Sequence, residues 1–230
     1  MPKVAVIIPT GGQVRPETAE AVMALSADAK LVQKCEPIHD NEDHFVRLAR
    51  NSTHTRNKAR GELLKKDFTH FLWIDSDVVP PPDTVEQLLK MGTDAAGGWY
   101  PIRSGQTILP DRWVAGTFNE EGEFSNYHFP WVIKEGDPDT HPLGDMVMDI
   151  RTKKFRREPT ISHLAPLGCL MLSREVMELL EFQDGTDQSC RIYGFEGTCI
   201  RGPCLQFGLQ MHELGVITHM SPRVLCDHIP

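Results

Sequence analysis

The chain has 230 residues, 40% of them apolar and 24% charged, which suits one large α/β domain with a substantial core. Its formal net charge is −8 with no run of five basic residues. That argues against nucleic-acid binding by phosphate neutralisation, though not against a nucleotide, which needs only a few local cations. The apolar run after Met1, Pro2 and Lys3 is too short for a signal core, and no later one is long enough for a membrane span, so a soluble, cytoplasmic protein is expected.

Val4–Ile8 is continuously apolar and is stopped by Pro9, Thr10, Gly11 and Gly12. It reads as a fully buried strand of a parallel sheet, followed by a loop. Pro16 and Glu17 lead into a helix over Thr18–Ala27, with apolar residues at helical spacing (Ala21, Val22, Leu25 and Ala29), and Lys30–Lys34 suits a second strand. Glu36–Asp43 is polar loop, and a helix follows through Phe45–Lys66 with a break near Asn51-Ser52-Thr53. His70–Ile74 is the next buried strand, and Pro80, Pro81 and Pro82 forbid continuing it as a central one. Asp83 and Glu86 have capping-box spacing. Val85, Leu88, Leu89 and Met91 then give a helix its apolar face, and Gly92 gives its stop. Asp94–Gly98 leads to a short strand near Trp99 and Tyr100. The alternation of strand and helix implies an α/β fold with a mostly parallel central sheet, flanked by helices.

Residues 102–160 are rich in Pro, Gly, aromatics and charges and show no sustained period. Leu164–Leu172 returns to strand character, and Ser173 caps a helix over Arg174–Glu181. Gln183–Pro203 is irregular and Gly-rich, a candidate for a loop over a site. A helix through Leu205–Leu214 stops at Gly215, and a last strand, Val216–His219, precedes a tail over Val224–Pro230.

Four of the six cysteines (Cys190, Cys199, Cys204 and Cys226) fall late, near His212, His219 and His228. Their spacing matches no common zinc module, so a structural zinc site stands against reduced, mostly buried thiols. Asp75-Ser76-Asp77 is the strongest chemical signal. Residues i and i+2 of an extended chain project to one side, and the end of a buried strand is the edge where open α/β sheets bind ligands. Two carboxylates there suit Mg2+ or Mn2+, which in turn holds a diphosphate; the plain alternative is a polar turn.

At these residues the chain resembles the GT-A glycosyltransferases, particularly family-2-like ones. The resemblance is carried by Thr69–Leu89 around the Asp-x-Asp, and four other stretches agree in order. They are Val4–Gly12 (first strand and nucleobase loop, with Pro9 and Thr10), Arg56–Arg60 (an Arg-Asn-x-x-Arg helix), Ala96–Tyr100, and Gly168–Val176. It implies a Rossmann-like GT-A domain over 1–230, with a nucleotide-binding half (1–100) and an acceptor-binding half (101–230) containing an unrecognised insertion at 102–160.

The resemblance also implies roles. Asp77 would ligate the metal and take part in catalysis, Asp75 would contact metal or ribose, and Ser76 lies between them in the donor site. Arg56, Asn57 and Arg60 would face the diphosphate of a UDP- or GDP-type sugar donor. The two arginines, four apart, can share a helix face and a guanidinium fork matches phosphate oxygens; the alternative is solvated helix charge. Trp99 and Tyr100 would border the sugar or else pack in the core. His228 would be the third metal ligand or a frayed tail residue. Inverting members carry an acidic pair before the helix at Leu205–Leu214, whereas Pro203 and Cys204 stand there in this chain. Glu196 is the nearest upstream carboxylate. Three readings stay open: a displaced base at Glu196, a retaining mechanism, or a non-catalytic nucleotide-sugar-binding module. A nucleotidyltransferase or pyrophosphatase is a weaker rival, since Thr10–Arg15 only partly matches a phosphate-binding loop. The acceptor is unknown.

Overall fold

The structure is a computed structural model. It describes the backbone of residues 1–35, 44–104, 107–118, 124–128, 148–149, 154–155, 160–162, 165–183, 189–192, 195–198 and 203–229, and the side chains of 1–35, 50–101, 162, 165–183, 206–221 and 223–229.

The first strand, β1 (Val4–Thr10), is wholly buried. It is followed by α1 (Pro16–Ala24), β2 (Ala29–Lys34), α2 (His44–Leu63) and β3 (His70–Ile74). β1 outlasts its expected end at Pro9. Its pairing with β3 covers only Val4–Ile7, so the missing N–H of Pro9 interrupts no ladder on that side. Pro16 opens α1, where its lack of a donor costs nothing. α2 runs unbroken through Asn51-Ser52-Thr53. Here the polar side groups bond within the helix: Thr55 Oγ1 donates to Asn51 O at 2.7 Å, and Ser52 Oγ accepts from Arg56.

Next come β4 (Val78–Val79), α3 (Thr84–Leu89) and β5 (Ala95–Trp99). The expected capping box is absent. Asp83 makes no side-chain cap bond and instead accepts from Gln87 Nε2 at 2.9 Å. Gly92 and Gly215, at φ 63° and 74°, provide the left-handed turns on which α3 and a later helix stop.

The chain continues through β6 (Pro101–Ser104), β7 (Thr107–Phe118), β8 (Phe124–His128), β9 (Met148–Asp149), β10 (Lys154–Phe155) and β11 (Thr160–Ser162). It goes on to β12 (Cys169–Ser173), α4 (Arg174–Leu179), β13 (Ser189–Ile192), β14 (Phe195–Thr198), α5 (Pro203–Glu213), β15 (Thr218–Leu225) and β16 (Asp227–His228). Ser173 caps α4 as expected, its Oγ accepting from Val176 N–H.

Among the described residues the main sheet has the order β11-β15-β5-β12-β3-β1-β2. β1, β2, β3, β5 and β15 run one way, and β12 and β11 run against them. The mostly parallel sheet is thus present, with one antiparallel strand inserted at its centre. Side chains alternate along β1 between two cores. Val4, Val6 and Ile8 face Val22, Leu25, Val85 and Leu88, while Ala5 and Ile7 face Ala59, Leu63, Val176, Met177 and Phe207. On the second side Phe182 meets Trp73 edge-on and stacks on Phe207 at 4.4 Å.

Of the patternless 102–160 segment, β6, β7 and β8 join a second sheet, β14-β13-β8-β7-β6. Pro110 and mixed residues within β7 hide its period of two. The irregular Gln183–Pro203 stretch contains the β13–β14 hairpin of the same sheet.

His70, at the entry to β3, has its pKa lowered, chiefly by burial, against the opposing carboxylates Asp94 and Glu175. The fold therefore prefers neutral imidazole. His70 adds no pH dependence well above its unfolded pKa of about 6.5, and stability is lost as pH falls through that value toward the lower folded pKa. We expect the melting temperature of His70→Gln to fall less than that of wild type between about pH 7 and about pH 5. Parallel declines in thermal scans would refute this.

Candidate functional site

Four co-directional strands, β1, β3, β5 and β15, end on one edge of the main sheet, and the reversed β12 begins there. The topology therefore gathers the Thr10–Gly12 loop, Asp75-Ser76-Asp77, Tyr100-Pro101, Gly168 and Cys226–His228 at the carboxyl edge, where such sheets bind ligands.

Asp75-Ser76-Asp77 is a turn, in which Val78 N–H donates to Asp75 O at 3.1 Å. The expectation of extended chain with both carboxylates to one side is thereby corrected, and the two go to different partners. Arg56 Nη2 donates to Asp75 Oδ1 at 2.7 Å while Nη1 bonds Ser52 Oγ. The Arg56 side chain is 5% exposed and that of Asp75 32%. A guanidinium so deep requires its counter-charge. Its two terminal nitrogens are thus held by Asp75 and Ser52.

Asp77 turns the other way, its Oδ2 lying 3.5 Å from His228 Nε2. The tail holding His228 is not frayed. β16 pairs with β4, Cys226 N–H donates to Trp99 O at 2.7 Å, and Ile229 N–H donates to Asp77 O at 2.9 Å. His228 Nδ1 lies 2.7 Å from Pro101 O. A carbonyl can only accept, so Nδ1 carries the proton and, in the neutral ring, Nε2 carries the lone pair. In the neutral ring a lone pair then faces the carboxylate oxygen, and a shared cation, whether a proton or a metal ion, suits that geometry. A backbone carbonyl that fixes the tautomer of a ligating histidine is the usual support of a metal site. The residues present therefore fit a divalent ion through Asp77 and His228. Among the described residues no three His, Cys, Asp or Glu side chains converge.

Other expected site residues lie elsewhere. Asn57 forms a two-bond pair with the backbone of Phe182, both bonds 2.8 Å. Arg60 reaches Met177 O at 2.6 Å, Glu178 O at 3.1 Å and Glu181 Oε1 at 3.3 Å, at the C-terminal end of α4. Both fasten α2 to the chain after β12. Trp99 is fully buried and Tyr100 is 3% exposed, so neither offers a ring face to an open sugar site. Pro9 and Thr10 are buried at the end of β1. Thr10 Oγ1 accepts from Gly12 N–H at 3.1 Å, shaping the exposed glycine loop beside them. Ser76 O accepts from Arg15 N–H at 3.0 Å, tying the carboxylate turn to the start of α1.

Glu196 is on β14, its backbone in register with Arg191 of β13; its side chain lies outside the described residues. So do the side chains of Cys190, Cys199 and Cys204. Cys226 neighbours Cys169, and burial, reinforced by the Cys169 hydrogen bond, pushes its thiol well up.

Sequence reasoning missed Ser52, Pro101 and Gly168. Ser52 was findable, one helical turn before Arg56. Pro101 and Gly168 act through main-chain groups, which leave no side-chain signal.

No protein-family model matches the chain, and no curated protein matches it. Solved structures do. The chain aligns with the crystal structure of GalNAc-T7 with UDP, GalNAc and Mn2+ at a TM-score of 0.61 and 12% identity, covering 99% of this chain and 43% of that one. The fold is GT-A. A second match is A197 from STIV, at a TM-score of 0.55 and 15% identity, covering 99% of this chain and 86% of that one. The chain thus spans less than half of the GalNAc-T7 chain, and at these identities the likeness is one of fold. Among the described residues, no helix is long and apolar enough to cross a membrane.

Proposed function

We propose that this chain is a divalent-metal-dependent glycosyltransferase that moves a sugar from a UDP- or GDP-type donor to an acceptor. The observation that carries the reading is the Asp77–His228 pair at the carboxyl edge, with Nδ1 held by the Pro101 carbonyl so that Nε2 faces the carboxylate. Support comes from the fold, and from a neighbour solved with UDP and Mn2+. Mg2+ or Mn2+ held there would supply charge stabilisation to a departing diphosphate. Few protein ligands suffice, because donor phosphates and water complete such a shell.

The remaining roles belong to the chain itself. Asp75, neutralised and oriented by Arg56, is suited to accept a hydrogen bond from a ribose hydroxyl. The Thr10–Gly12 loop borders the nucleoside, and its glycines leave room for close approach. A thermal-shift screen of UDP- and GDP-sugars with and without Mn2+ tests the reading, because a bound donor raises the melting temperature with concentration. Metal-dependent stabilisation is expected; none with any donor defeats it.

One observation favours a second reading, a nucleotide-sugar-binding module without catalysis. α5 starts at Pro203 and Cys204, with no acidic residue in its first turn. A thiol of ordinary pKa near ~8.5 is a poor base at neutral pH, so Cys204→Ser should retain most transferase activity. Glu196→Gln separates the active readings. A displaced base should cost about 10²-fold or more in kcat with donor binding intact. A retaining enzyme should lose little and preserve the anomeric configuration of the donor in the first-formed product. A Cys204→Ser protein that binds donor but is inactive would place the thiol in the chemistry, against this expectation.

A further inference from the structure

Tyr100 is the last residue before the second sheet begins, and its side chain meets both halves of the site. The hydroxyl oxygen accepts from Gly168 N–H at 2.8 Å. The phenol lies directly on Gly168, where a Cβ would stand 2.6 Å from Tyr100 Cζ and 2.7 Å from its oxygen. Gly168 in turn accepts from Asp75 N–H at 3.2 Å, so the tyrosine sets the main-chain group on which the carboxylate turn rests. On its other side the ring meets His228 edge-to-face, with centroids 5.7 Å apart and planes at 87°. The carbonyl that holds His228 Nδ1 belongs to Pro101, the next residue.

We propose that Tyr100 is the positioning residue of the metal site, bracing His228 with its Nε2 toward Asp77 while its hydroxyl holds the Gly168 turn beneath Asp75. This rests on the reading of Asp77 and His228 as metal ligands. An edge-to-face contact restricts rotation of the imidazole, and the carbonyl then needs to choose only one tautomer. The phenol itself touches neither metal nor donor. Its two duties are separable, since the ring braces His228 and the hydroxyl serves Gly168.

The test compares Tyr100→Phe and Tyr100→Leu by Mn2+ titration calorimetry of the folded protein, and by imidazole nitrogen NMR of His228 where the ring is neutral. Tyr100→Phe keeps the brace and should hold Mn2+ nearly as wild type, with the Nδ1–H tautomer unchanged. Tyr100→Leu should lose about tenfold or more in Mn2+ affinity and show both tautomers. Affinity lost equally in both variants, or in neither, overturns the proposal, as does an unchanged tautomer in Tyr100→Leu. If Tyr100→Leu does not fold, Gly168→Ala displaces the ring with its chemistry intact and should reproduce the affinity loss; wild-type affinity there also overturns it. A wild-type protein that binds no Mn2+ defeats the metal reading, and the tautomer comparison then still decides whether Tyr100 braces His228.

Discussion

Asp77→Asn is expected to abolish Mn2+-dependent binding of UDP or GDP while leaving the fold intact. The substitution nearly preserves shape and removes the charge facing His228 Nε2 at 3.5 Å. The main-chain tie of Asp77, through its carbonyl to Ile229 N–H, is untouched. Asn is a far weaker ligand for a hard divalent ion than a carboxylate, so the loss should exceed about tenfold in metal affinity with little change in melting temperature. His228→Ala should behave alike. Truncation after Arg223 should instead lower the melting temperature as well. It removes Val224 and Cys226, both buried, and the β16–β4 pairing, so it costs stability as well as metal. Unchanged metal-dependent nucleotide affinity of Asp77→Asn by calorimetry would remove Asp77 from the metal site.

Asp75→Ala should do the opposite and destabilise the protein. It leaves the Arg56 guanidinium, only 5% exposed, without its counter-charge. Breaking a fully buried pair costs ~3–5 kcal/mol. Asp75 is about a third exposed, and water reaching the vacancy lowers this to about 2 kcal/mol. For a chain of this size that is roughly 4–8 °C in melting temperature. Replacing the charge as well, in Arg56→Met with Asp75→Ala, should restore most of the loss, since an apolar substitute for a buried pair is close to neutral. A double variant no more stable than Asp75→Ala alone would show that the pair is not the source of the cost. Two aspartates of one short motif are thus expected to separate cleanly, one by stability and the other by metal.

Much of the nucleotide-side fold is written locally. Val4–Ile8 and Phe71–Ile74 are short, bounded, wholly apolar runs, and such runs become buried strands because nothing else hides them from water. Ser173 before α4, and Gly92 and Gly215 after α3 and α5, mark helix ends through the backbone groups and φ angles that those positions demand. The place of Asp75-Ser76-Asp77 at the end of a buried strand was legible for the same reason, but its turn conformation was not.

Tertiary structure decided the rest. An apolar run at Leu164–Leu172 looks the same whichever way it points, and only the packed sheet places β12 antiparallel between β3 and β5. That reversal carries Gly168 to the site. Arg56 and Arg60 share a helix with four-residue spacing, yet one meets Asp75 and the other caps α4, because burial and distant partners are invisible to spacing. His228 reads as a tail residue until β16 finds β4 and the Pro101 carbonyl. Local sequence thus determined which segments become strands, helices and turns, through short-range sterics and hydrophobic pattern. Which carboxylate faces an arginine and which a histidine lone pair was set by long-range pairing, whose energy exists only once the chain is folded.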